Sequence, residues 1–333
     1  MNTPILTICI PTYNGKLRME RGFQLLLEMA AEHVDSVRVL VSDNCSTDDT
    51  KVYVQSFANK YSRILSYHCQ PANIGAEGNF RWCICNANTK YVALIGDDDI
   101  LAPLYFSTVL PLLREHDDTA LILVNGVNIQ PSGKYSSLRD GLVNYGKPKI
   151  YKSSGDFIRE HLSIPSLISL NIFNRYLFMD SIEDDNGEKY PGYTWLSILF
   201  KSILGQKCIY VDSPMIYAQV AEKCNWAIDA PWYLVYGLGK LFEDLESSAP
   251  GVNAAWRMRF KNGKYEEFGI SSIIHAKRLY RRRFPTMRRY FSSRAIMVTY
   301  WMYLYLPTVF VKILLRLYHL IPYSIRKHIP VLM

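Results

Sequence analysis

The first 127 residues repeat a pattern that few folds satisfy: a short apolar run, a polar loop, then an amphipathic stretch. The runs Ile5–Ile10, Val37–Ser42, Ile64–Cys69 and Tyr91–Ile95 have strand length and composition, and Thr119–Val127 adds a fifth. Between them, Leu17–His33 places Leu25, Leu26 and Met29 at helical spacing, and helices are expected over Thr50–Asn59 and Gly78–Ala87. Successive βα units predict an α/β fold: a Rossmann-like, doubly wound, mostly parallel sheet whose ligands lie beyond the carboxyl ends of the strands.

That rule directs attention to four loops: Pro11–Gly15 (PTYNG), Asp43–Asp49 (DNCSTDD), Gln70–Asn79 (QPANIGAEGN) and Gly96–Asp99 (GDDD). None is the G-x-G-x-x-G of a dinucleotide site or the G-x-x-x-x-G-K-[ST] of a phosphate loop, which argues against dehydrogenases and P-loop NTPases. After Val127 the pattern loosens through a Ser/Gly/Tyr-rich excursion to about Ser154. A helix at Asp156–His161, a helix at Tyr193–Leu204, and a strand, proline turn and second strand within Lys207–Val220 follow.

Three consecutive aspartates, Asp97, Asp98 and Asp99, end the fourth run. Aspartates before a helix cap its free N–H groups, but capping needs one carboxylate. Three together raise one another's proton affinity unless a cation is present, and Mg²⁺ or Mn²⁺ is held by one or two carboxylates together with substrate phosphates. The run therefore predicts a metal–diphosphate site.

The segments CIPTYNG, VSDNCSTDDT, NIGAEGNF and YVALIGDDDIL, in this order and spacing, resemble the successive signatures of family 2 glycosyltransferases, inverting nucleotide-sugar transferases of GT-A fold. The resemblance covers about Thr7 to Val127, and more weakly reaches Val220. It implies Asp98 as the metal contact at the family's D-x-D position and Asp97 toward the ribose. Asp99 would cap the next helix or lie behind the metal. It also implies that Pro11, Thr12, Tyr13 and Asn14 pass beneath base and ribose, and that Asp43 accepts a hydrogen bond from the pyrimidine ring. Asn73, Gly75 and Asn79 occupy the N-x-G segment. For each of these, turn chemistry is the alternative reading.

The acceptor half departs from the family pattern. An acidic pair usually stands just ahead of a helix there, and one carboxylate deprotonates the attacking hydroxyl. Here the helix near Tyr193 follows KYPGYTW directly, and the acids lie upstream: Asp185 or Glu188 is the expected base, with Asp184 behind them and Glu183 nearby. The Arg or His often found after the later strand is replaced by Gln219, Glu222 and Lys223, while Trp226 and Trp232 offer aromatic faces. The spacing around YPGYTWLSILF is similar to an abequosyltransferase-like group within the family.

Charge sets the C-terminal region apart. From Lys277 onward the chain carries 12 of its 38 basic residues and no acid, leaving the remainder acidic by four. The uncharged stretch Ala295–Val311 is 17 residues long and contains Pro307, marginal for a span. Residues 276–333 are expected to lie in or on an anionic membrane surface, the alternative being a helical pair packed on the catalytic part with a solvated basic face. No nucleic-acid signature accompanies the charge. The expected organisation is a transferase domain over residues 1–220, with a nucleotide half at 1–127 and an acceptor half at 128–220, then a helical, membrane-associated region at 221–333. Seven scattered cysteines and a start without a signal sequence suit a reduced compartment.

Together these readings predict metal-dependent transfer of one sugar from a nucleoside diphosphate-sugar to a polyprenyl diphosphate-linked glycan, as in O-antigen or capsule synthesis, at the cytoplasmic face of the inner membrane. Two rivals are a sugar nucleotidyltransferase, which would need a Gly-rich basic first loop, and a non-catalytic scaffold of the same fold.

Overall fold

The computed structural model describes residues 3–129, 135–137, 147–162, 164–182, 189–219, 229, 231–262, 276–291, 294–307, 309–310 and 313. The chain divides into two compact units, Met1–Asp184 with Trp195–Ala221, and Asp185–Thr194 with Glu222–Met333.

The first unit is built in the order β1 (Leu6–Thr12), α1 (Lys16–Met19), α2 (Phe23–Ala31), β2 (Val37–Asp43), α3 (Thr50–Gln55), β3 (Leu65–Cys69), α4 (Gly75–Asn86), β4 (Tyr91–Leu94) and β5 (Ile100–Leu101). It continues with α5 (Tyr105–Glu115), β6 (Leu121–Ile129), β7 (Tyr135–Ser137), β8 (Lys149–Tyr151), α6 (Ser154–His161), β9 (Asn171–Asn174), α7 (Arg175–Asp180), α8 (Thr194–Ile203) and β10 (Cys208–Gln219). The described strands form one mixed sheet ordered β3-β2-β1-β4-β9-β6-β10-β5, with β7 beside β6 and β8 beside β10. Strands β3, β2, β1, β4, β6 and β10 run one way, and β9 runs against both β4 and β6. Every residue of β1 is buried, as expected of a central strand covered on both faces. Burying Leu6 and Ile8, each 0% exposed, contributes about 2 kcal/mol apiece.

Several expected elements take another form. The helix foreseen over Leu17–His33 is two helices, α1 and α2, separated at Gly22. There the backbone passes so near β4's outgoing turn that a Cβ would lie 3.0 Å from Ile100 Cγ1 and 3.2 Å from the Asp99 carbonyl oxygen. The buried face of α2 is Phe23, Leu26, Leu27 and Ala30, while Leu25 is exposed. Helix α4 begins earlier than foreseen, at Gly75, whose φ of +77° a residue with a side chain would adopt only under strain. The strand–turn–strand expected after Lys207 is one strand, β10, which absorbs Pro214 as irregularities in its pairing with β6. Cys9, Cys45, Cys69, Cys83, Cys85 and Cys208 are free thiols.

In the second unit, a π-helical turn at Trp232–Gly237 runs into a helix at Leu238–Leu245, and helices follow at Val252–Asn262, Lys277–Met287 and Arg294–Tyr305. The turn seats the segment before α8: Gly192, with φ +74°, lies under the Tyr233 ring, and the Tyr190 hydroxyl donates to Asp244 at 2.9 Å. Within the last two helices Tyr280, Met287, Tyr300, Tyr303 and Leu304 are buried. Lys277 Nζ donates to the Leu306 carbonyl at 2.6 Å and Arg281 Nε to that of Leu304 at 2.9 Å, satisfying carbonyls the helix end leaves open. No helix of the described residues is long and apolar enough to cross a membrane.

Candidate active site

The carboxyl ends of β1, β2 and β4 bring the sequence-singled loops together. Thr12 and Asp43 are register partners at the ends of β1 and β2, and the Asp97–Asp99 turn follows the neighbouring β4. Asn14, held at φ +50°, laces the first loop to the second: its amide donates to Ser46 Oγ at 2.8 Å and its Oδ1 accepts from the Thr47 amide at 2.8 Å. Thr50 Oγ1 accepts from the Gly15 and Lys16 amides at 3.0 and 3.1 Å. The Tyr13 ring is left 44% exposed beside this frame.

Asp43 is 1% exposed. Its Oδ1 accepts from the Ser46 amide at 2.8 Å and its Oδ2 from the Tyr67 hydroxyl at 2.7 Å, so each oxygen keeps one lone pair for a ligand. Burial, then the bond to Asp43, pushes the Tyr67 phenol well above its ordinary range, so it stays a donor. The third loop hangs on Asn44, a residue that no motif in the sequence singles out. Asn44 Nδ2 donates to Asn73 Oδ1 at 3.0 Å and to the Gly75 carbonyl at 3.2 Å, and its Oδ1 accepts from the Ile74 amide at 2.8 Å. Asn79 is occupied within the frame, its Nδ2 donating to the Ser42 carbonyl at 2.9 Å and its Oδ1 accepting from Ser42 Oγ at 2.6 Å.

The three aspartates face different partners. Asp97 Oδ2 accepts from Thr12 Oγ1 at 2.6 Å and from Arg18 Nη2 at 2.7 Å, and its Oδ1 from Arg18 Nε at 2.7 Å. Asp99 caps no helix, because residues 100–101 form β5 against β10 and the next helix begins at Tyr105. Its carboxyl instead receives the Ser169 hydroxyl, while the Gly96 amide donates to that same Ser169 oxygen at 2.8 Å. Burial and the Asp98 charge push the Asp99 carboxyl up to about 7, against the Ser169 and Gln219 amide hydrogen bonds that lower it. Asp98 is half-buried and receives no side-chain hydrogen bond among the described residues. Burial, then the Asp97 charge, raises its proton affinity, opposed by its own amide, Arg18 and Arg21.

Those features suit a divalent cation shared with a ligand. An under-compensated, part-buried carboxylate attracts positive charge. No group of three ligating side chains that could hold a metal stands among the described residues. Asp184, Asp185 and Glu188, expected to supply the base, lie with Glu183 outside the described residues, as does Trp226.

A mixed, mostly parallel sheet with an aspartate run beyond β4 and a buried aspartate ending β2 resembles the GT-A fold. The model of "Glycosyl transferase family 2" matches residues 7–180, and the chain belongs to that family. It is 32% identical over 98 residues to abequosyltransferase RfbV of Salmonella typhimurium, 29% of each chain. It is 28% identical over 112 residues to a GalNAc(5)-diNAcBac-PP-undecaprenol beta-1,3-glucosyltransferase of Campylobacter jejuni, 34% of this chain and 35% of that one. The matches thus span about a third of these curated relatives. Among solved structures, Staphylococcus aureus TarS 1–349 superposes with a TM-score of 0.59 at 16% identity, over 91% of this chain and 93% of that one. The Pyrobaculum calidifontis mannosyltransferase PcManGT, solved with GDP-Man and Mn²⁺, gives 0.53 at 15% identity, over 83% and 76%.

Proposed function

We propose that the chain transfers one sugar from a nucleoside diphosphate-sugar to a hydroxyl of a polyprenyl diphosphate-linked glycan, with Mg²⁺ or Mn²⁺, in the synthesis of a bacterial surface polysaccharide. The observation that carries this reading is Asp98, a half-buried carboxylate without a side-chain partner among the described residues, in the turn beyond β4 beside the carboxyl ends of β1 and β2. Tyr13 offers its exposed ring and Asp43 its remaining lone pairs to the base, Thr12 and Asp97 border the ribose, and the Asn73–Gly75 turn shapes the loop beside them. Asp98 would hold the ion, which supplies positive charge to the departing diphosphate. The acceptor oxygen bonds to the sugar's anomeric carbon as the bond from that carbon to the diphosphate breaks. The hydroxyl proton passes to a carboxylate of the acidic stretch ahead of Tyr193, Asp185 or Glu188, and the configuration inverts.

The acceptor assignment draws on one relative, whose name as a GalNAc(5)-diNAcBac-PP-undecaprenol glucosyltransferase carries a polyprenyl diphosphate-linked glycan. It draws also on the second unit, where Val298, Trp301, Tyr305, Val309, Phe310 and Ile313 are exposed in a stretch free of acids. Apolar rings beside basic residues suit peripheral attachment to an anionic leaflet at the cytoplasmic face of the membrane. The test is a panel of nucleotide sugars screened for Mn²⁺-dependent release of nucleoside diphosphate by the full chain. Release is expected for one donor class and at least a hundredfold less in Asp98→Ala; release undiminished in that variant or by EDTA would overturn the metal assignment.

A further inference from the structure

Arg18 is ion-paired with the aspartate run at 2.7 Å, yet it lies outside every loop signature in the sequence. It stands in α1, the first turn after the Pro11–Gly15 loop. Its Nε and Nη2 meet both oxygens of Asp97 at 2.7 Å, the paired fork geometry that only a guanidinium provides. Nη2 also donates to the Tyr13 carbonyl at 3.0 Å and Nη1 to that of Asn14 at 3.2 Å. Of the five N–H groups of a guanidinium, four are therefore engaged within the frame. A group so fully used is a clamp, not a free arm awaiting an anion. Its side chain is 45% exposed while that of Asp97 is 10% exposed, so Arg18 covers the carboxylate from the solvent side as Thr12 holds it from within.

We infer that Arg18 is a positioning residue of the donor site: it ties the first loop to the Gly96–Asp99 turn and fixes Asp97, so that nucleoside diphosphate binding requires its fork and not merely its charge. This rests on the donor-site reading above. Lysine would keep the charge but bring a single nitrogen, which cannot meet both carboxylate oxygens in plane and two carbonyls besides.

Calorimetric titration of the full chain with UDP, GDP and CDP, each with Mn²⁺, tests it. The diphosphate that binds the unaltered protein best should bind Arg18→Lys at least tenfold more weakly, with the thermal midpoint within about 2 °C. Arg18→Met should lose as much or more. In turnover, the donor KM should rise tenfold in Arg18→Lys while kcat stays within threefold. Unchanged diphosphate affinity in Arg18→Lys overturns the inference, as does a loss confined to kcat with the donor KM unchanged. If Arg18→Met fails to fold, Arg18→Lys decides by itself. If none of the three diphosphates binds the unaltered protein, the donor-site reading itself falls, an outcome distinct from any failure of the lysine variant.

Discussion

Asp99 offers a direct thermodynamic test of how the aspartate turn is held. Its carboxyl lies among Asp98, Ser169 and the Gln219 amide, and burial with the Asp98 charge pushes it up to about 7 from the 3.8 of an ordinary aspartate. The folded state thus binds this proton more tightly than the unfolded chain does. The stability it contributes is complete below about pH 4 and is lost as pH rises through 7. Between pH 5 and pH 8, almost all of the two units from 5 to the folded midpoint count, each about 1.4 kcal/mol, so the loss is about 2–3 kcal/mol. Asp99→Asn keeps an acceptor for Ser169 and for the Gln219 amide but cannot ionise. Urea unfolding at both pH values, without metal, should show the unaltered protein losing about 2 kcal/mol more than Asp99→Asn between pH 5 and pH 8. Equal losses in the two proteins would refute the argument, showing that the carboxyl is not held protonated near neutrality.

Two other consequences can be measured directly. A Cβ at Gly15 would come within 2.0 Å of Thr12 Oγ1 and 2.3 Å of Asp97 Oδ2, so Gly15→Ala must break the Thr12–Asp97 bond. A hydrogen bond to a charged group is worth about 1.5–3 kcal/mol, so the Kd for the bound nucleoside diphosphate should rise about tenfold or more by calorimetry. In the second unit, Trp301→Ser with Phe310→Ser removes two exposed rings. Binding to vesicles containing phosphatidylglycerol should fall at least tenfold in sedimentation, while pure phosphatidylcholine should bind both proteins poorly.

What the sequence disclosed and what it concealed divide by distance along the chain. The strand ends were legible because apolar runs such as Leu6–Ile10 and Tyr91–Leu94 report their own burial. The loop residues at Asp43 and Asp97–Asp99 were legible because their side chains are chemically costly where they stand. Arg18 and Ser169 were not, since they meet the aspartates from 79 and 70 residues away and nothing in GKLRME or PSLISL marks them. The break at Gly22 was hidden for the same reason. Helical periodicity runs through it, and only the neighbouring turn's backbone at Asp99 marks the place where one helix ends and the next begins. Asn44 was visible in SDNCST as a turn residue, while its part in holding Asn73 and Gly75 depends on α4 beginning at Gly75.

The three carboxylates are therefore unequal in a way that bears on the order of binding. Asp97 is neutralised by Arg18, and Asp99 is held by Ser169 with its proton retained toward neutrality, which leaves Asp98 as the main free negative charge of the turn. One free carboxylate, with no group of three ligating side chains among the described residues, is a weak site for a divalent ion in water. On the proposed function the diphosphate would bring the missing oxygens and the missing charge, so each ligand should strengthen the other. Binding free energies are reciprocal, hence Mn²⁺ must tighten the nucleoside diphosphate by the same factor by which the diphosphate tightens Mn²⁺. A thermodynamic cycle by calorimetry should give a coupling of at least about tenfold, or about 1.4 kcal/mol, with Mn²⁺ alone binding weakly. In Asp98→Asn the coupling should vanish while the diphosphate, still met by the Asp43 frame, binds at its metal-free affinity. Tight binding of Mn²⁺ without nucleotide, or coupling that survives in Asp98→Asn, would mean that the turn holds its ion by other ligands.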